Sequence, residues 1–86
     1  MPTIAVFYGI VIRLYFADHP PPHIHAIYGD AEAQVAIDPP RIIVGALPRR
    51  ASAMVLEWVG LRRGELLAAW SAAQQGSSPG RIEPLE

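Results

Sequence analysis

The stretch "HIHAIYGDAEAQVAI", residues 23–37, decides the reading of this chain. Gly29-Asp30 separates two alternating segments. It is a two-residue hairpin signal, with glycine at the first central position as a type II′ turn requires. That turn sets a register in which Tyr28 faces Ala31, Ile27 faces Glu32, His25 faces Gln34 and His23 faces Ala36. Side chains alternate along a strand, so Ile24, Ala26, Tyr28, Ala31, Ala33, Val35 and Ile37 share one face, expected to be the core side. His23, His25, Glu32, Gln34 and Asp38 share the other, with Ile27 and Ala36.

Outward from this hairpin, residues 1–47 are rich in β-branched and aromatic types broken by Gly and Pro. Strands are expected at Thr3 to Phe7, Ile10 to Phe16, His23 to Tyr28, Ala31 to Ile37 and Ile42 to Leu47. Residues 48–75 are rich in Ala, Leu, Arg and Glu and carry apolar residues at helical spacing, from Ala51 and Val55 to Leu66 and Trp70. The expected fold is α+β in one domain: a small antiparallel sheet of four to five strands in meander order, then a long or kinked C-terminal helix packed on one face. Gly60 and Gly64 mark the place for a kink, or for two helices meeting near "GLRRGE". Gly76 is the expected helix stop. In the tail, residues 76–86, Ile82 and Leu85 are placed to dock back on the body.

At 86 residues the length supports one modest core. The hydrophobic share of 51% is rich for so small a chain, which points to a second copy or a partner covering part of it. With a net charge of -1, and seven arginines as the only basic residues besides histidine, a whole-chain nucleic-acid footprint is absent, though RNA remains open through a local arginine patch. Cysteine is absent, which excludes disulfides and thiolate chemistry. The start "MPTIAVFYGI" lacks a basic n-region, and no apolar run reaches the roughly 20 residues of a membrane helix. A cytoplasmic location without membrane contact is expected.

All three histidines lie in "ADHPPPHIHAIYGD", residues 17–30. His23 and His25, two apart on one strand face, are placed to share a divalent transition metal such as zinc, copper or nickel. Glu32, diagonal to His25, is a candidate third ligand or the carboxylate that orients an imidazole. His19 joins as a ligand only if the proline run bends, since extended prolines would hold its α-carbon about 12 Å from that of His23. Asp18 is a possible acid and equally a turn residue. The alternative for the pair is solvated polar surface. Arg13 lies on the outer face of its strand, so His23, His25 and Arg13 form a candidate catalytic set of base, acid and anion holder. Arg49 and Arg50 open the helix and are candidate phosphate or anion binders.

These residues resemble a known family. The core Asp18, His19, Pro21, Pro22, His23 and His25, the step Gly45, Leu47 and Pro48, and the tryptophans Trp58 and Trp70 are similar to the small bacterial proteins of domain of unknown function 4160. The likeness runs over essentially the whole chain, through "GALPRRASAMVLEWVGLRRGELLAAW" to "RIEPL". It implies a bacterial origin and a small protein partner encoded nearby, of the domain of unknown function 2442 type, in an arrangement like a toxin and antitoxin pair. A ribonuclease-type toxin is one expectation. A non-catalytic module that binds a metal or a protein through the same loop is the other. Where family members often carry a histidine, this chain has Arg62, and Ala69 stands where they often carry Asn before the second tryptophan. Ligand sets using a helix histidine are weakened accordingly.

Overall fold

The structure, a computed structural model, describes residues 2–86. Five strands, β1 (Thr3–Phe7), β2 (Ile10–Arg13), β3 (His23–Tyr28), β4 (Ala31–Ile37) and β5 (Pro40–Ala46), precede two helices, α1 (Arg49–Leu61) and α2 (Arg63–Gln74). The strands form one antiparallel sheet in sequence order. The α+β expectation holds in this form.

Short turns build the meander. Tyr8 and Gly9 both have positive φ, 52° and 79°, as a type I′ turn needs, and Gly29 alone is positive at the β3–β4 turn, as in type II′. The β3–β4 register is the one the turn implies, from Tyr28 opposite Ala31 to His23 opposite Ala36. Strand β2 is shorter than expected. The chain leaves the sheet after Arg13 and bends at Ala17, φ 53°, into the histidine loop. Strand β5 begins two residues earlier than expected and ends at Gly45 and Ala46.

Ile24, Ala26, Ala33, Val35 and Ile37 join Ile4, Ile10 and Ile12 under the helices, whose Val55, Trp58, Val59 and Leu66 complete the core. Tyr28 departs from the expected core face. It is 40% exposed, because it sits at the hairpin tip.

The expected long or kinked helix is instead two helices. Arg62 leaves helical geometry at φ -109° and ψ 23°, between Gly60 and Gly64, which carry no side chains to hold a continuous rod. Arg62 still donates to the Trp58 carbonyl at 2.9 Å, and its own carbonyl accepts from Leu66 at 2.9 Å. Helix α2 ends where Gly76 was expected to stop it, in a Schellman motif with Gly76 at φ 79° and Ser77 donating to the Ala72 carbonyl. The tail then docks on the body. Ile82 is buried and donates to the Ile4 carbonyl at 2.8 Å, covering the β1 edge, and the Trp58 indole donates to the Glu83 carbonyl at 2.7 Å. Among the described residues, no helix is long and apolar enough to cross a membrane.

Candidate metal centre

Alternation along β3 sends His23 and His25 away from the face of Ile24 and Ala26. That face is closed at its histidine end rather than solvated: His23 is 1% and His25 7% exposed. The cover is the loop of residues 14–22. It is tied to the end of α2 by Ala17 donating to the Ala73 carbonyl at 3.4 Å and by the Gln74 side-chain amide donating to the Asp18 carbonyl at 2.6 Å. On its other side Ile37 donates to the Pro22 carbonyl at 3.1 Å. Aromatic rings complete the wall, Trp70 at 5.2 Å from the His23 ring and Tyr15 at 4.2 Å from the His25 ring.

Asp18 is the hub. Its Oδ1 accepts from the His19 backbone and from the His19 ring Nδ1, both at 2.9 Å. Its Oδ2 faces His23 Nε2 at 3.0 Å and His25 Nε2 at 3.1 Å. The far nitrogens are engaged as well. His23 Nδ1 donates to the Pro21 carbonyl at 2.7 Å, and His25 Nδ1 faces Glu32 Oε2 at 3.5 Å.

Each of the four ring nitrogens of His23 and His25 thus faces an oxygen that can only accept. Two neutral imidazoles carry two protons between them. His23 shows the shortfall most clearly. The Pro21 carbonyl takes its Nδ1 proton, so a neutral ring presents a bare lone pair to the Asp18 carboxylate. His23 Nε2 and His25 Nδ1 are buried, and neither contact has the geometry of a hydrogen bond.

Burial pushes the Asp18 carboxyl up, but hydrogen bonds from His25 and from the His19 backbone and ring, with the charge that His23 carries when protonated, outweigh it and hold the carboxyl at about 2. Asp18 is therefore an anion at any physiological pH. One atom each from Asp18, His23 and His25 lies within 4.8 Å of the others, so the three could hold one metal ion. Ligands about 2.0–2.2 Å from a tetrahedral ion stand roughly 3.3–3.6 Å apart, a few tenths of an ångström from the His–Asp separations here.

The candidates from the sequence divide as follows. His23 and His25 meet as expected, and Glu32 stands behind His25, in the position of an orienting carboxylate. The loop does bend: the Pro20–Pro21 peptide is cis, and the His19 ring lies 5.6 Å from that of His23. His19 nonetheless engages Asp18 and is 76% exposed at the mouth of the site. Arg13 is the cross-strand partner of His25. Arg49 and Arg50 are exposed elsewhere, Arg50 lining a groove of about 590 Å³ with Tyr8, Tyr28 and Met54 at the hairpin-tip end of the sheet. Asp18 is the residue whose place the sequence did not reveal. Its signal was the Asp-His pair opening the proline loop, which a turn explains equally well.

A model of the family described as Domain of unknown function (DUF4160) matches residues 9–71, a span that includes the loop, the histidine hairpin and most of both helices. No curated protein and no solved structure matches the chain.

Proposed function

The chain belongs to the family of the domain of unknown function DUF4160, and from its loop geometry we propose that it is a metal-binding protein holding one divalent transition-metal ion on Asp18, His23 and His25. The observation that carries this reading is the shortage of protons among four nitrogen–oxygen contacts. Two further protons would supply the missing positive charge, and so would one divalent ion. Two imidazolium rings with centroids 5.1 Å apart repel by roughly 3 kcal/mol even at an effective dielectric of about 20. A single ion between the two Nε2 atoms and Asp18 Oδ2 avoids that repulsion. It also leaves Pro21 accepting from His23 Nδ1 and the Glu32 carboxylate 3.5 Å behind His25 Nδ1, the kind of outer partners that orient ligand histidines in metal sites.

Two imidazoles and a carboxylate suit zinc, and also copper or nickel. Three protein ligands would leave a position open to a further ligand.

The test is metal analysis of tag-free protein after incubation with zinc and gel filtration. About one ion per chain is expected, with loss of that ion in Asp18→Asn and His25→Ala. Wild-type protein that emerges metal-free, with an unchanged melting temperature in zinc, overturns the reading.

The ribonuclease-type reading, with His23 and His25 as base and acid and Arg13 on a phosphate, needs a free nitrogen on each ring, whereas all four face oxygens of Asp18, Pro21 or Glu32. That arrangement favours the metal. A toxin and antitoxin-like partnership with a small protein of the DUF2442 type is a separate proposal resting on family likeness, which co-expression and co-purification test.

A further inference from the structure

We propose, resting on the metal reading above, that Arg13 and the open position of the metal together bind a phosphate group. Arg13 and His25 are paired α-carbon to α-carbon across β2 and β3, so their side chains share one face with β-carbons about 4.5–5.5 Å apart. Among the described residues two arginines, Arg13 and Arg62, have a buried Nε without an acceptor, while Arg41, Arg49 and Arg50 are exposed to water. Arg62 and Arg63 have carboxylates at 3.4 and 3.7 Å, and Arg81 donates to the Thr3 carbonyl. Arg13 is half-buried, has no carboxylate in reach, and its Nε is buried without an acceptor. A desolvated guanidinium donor left without an acceptor is unfavourable, and a ligand oxygen would satisfy it.

The charges agree. A divalent ion is offset by Asp18 and Glu32, which leaves the Arg13 charge uncompensated at the same site. The ligand is therefore anionic. A tetrahedral phosphate can give one oxygen to the metal and two to the guanidinium fork, whereas a carboxylate that also reaches the metal has only one left for Arg13. Access comes over the sheet face that the helices leave open, where Val6 and Val44 are exposed and Val11 and Ile27 partly so.

The experiment uses full-length protein loaded with cobalt, whose visible spectrum reports its ligands. Inorganic phosphate is expected to shift that spectrum and to bind at least tenfold more tightly than acetate. Arg13→Met should keep one cobalt per chain and weaken phosphate binding at least tenfold, with Arg13→Lys in between. A like response to adenosine monophosphate identifies a phosphate monoester as ligand, and a response to inorganic phosphate alone identifies the free anion. Cobalt-loaded protein whose spectrum ignores both, or whose phosphate affinity survives Arg13→Met, overturns the phosphate site and leaves the metal site standing. Protein that takes up no cobalt or zinc overturns the metal reading and this one with it.

Discussion

His23 Nε2 faces Asp18 Oδ2 at 3.0 Å, although the other nitrogen of the same ring already donates to the Pro21 carbonyl at 2.7 Å. The geometry of a ligand imidazole is thus in place, with its tautomer set by a backbone carbonyl and its lone pair turned to a carboxylate. The metal proposal and most of its tests follow from that pair.

Glu32 should tune metal affinity without being a ligand. Its Oε2 lies 3.5 Å from His25 Nδ1, and its side chain is more than half exposed, so Glu32→Gln is expected to preserve the fold. Loss of the carboxylate behind a ligand histidine lowers metal affinity by about 10–100-fold. Competition against a chromophoric chelator reads this directly, and an unchanged affinity would remove Glu32 from the site.

Asp18 gives the metal-free protein a characteristic acid limb. Its carboxyl lies at about 2 in the folded state, below its ordinary 3.8. A lowered carboxylate contributes stability that is fully present above about 4 and is lost as pH falls towards 2, since the unfolded chain takes up the proton first. Urea unfolding between pH 2 and 5 should therefore show a steeper fall for wild type than for Asp18→Asn. Parallel slopes would contradict the assignment.

Gly45 cannot take a side chain. Its φ is +77°, and a β-carbon there would strike the Glu32 carbonyl oxygen on β4. Gly45→Ala is expected to cost about 2–4 kcal/mol, from left-handed strain together with a forced shift of the β4–β5 pairing. Chemical denaturation measures it; a loss under 1 kcal/mol would show that the strand end relaxes freely.

Truncation after Gly80 should destabilise the core although it removes only six residues. Burial of Ile82 contributes about 1.5–3 kcal/mol, and the Trp58 indole would lose its Glu83 acceptor, at about 1–3 kcal/mol more. A loss of about 3–5 kcal/mol is expected, with a change in Trp58 fluorescence on removal of the tail. Equal stability of the two chains would mean that the tail contacts contribute nothing net.

Much of the sheet was legible in the residues themselves. Gly29-Asp30 implied the whole β3–β4 register, because a two-residue turn leaves only one pairing and alternation then sorts every side chain by face. The two glycines around Arg62 marked the helix junction, but a kink and a full break have the same local signature, and packing of Trp58 and Trp70 into one core is a tertiary matter.

Sequence alone determined the strand-then-helix order, the hairpin and the placing of His23 and His25 on one face, since each depends on periodicities and turn chemistry within a few residues. Tertiary structure decided that this face is buried, that Asp18 rather than Glu32 lies between the two rings, and that Arg50 belongs to a different groove. Asp18 is seven residues from His25 along the chain, yet its position is secured by Gln74, 56 residues away, and by Ala73 beside it. No local pattern encodes a loop closed by the far end of the last helix, because the bonds that close it form only once the sheet and both helices share a core.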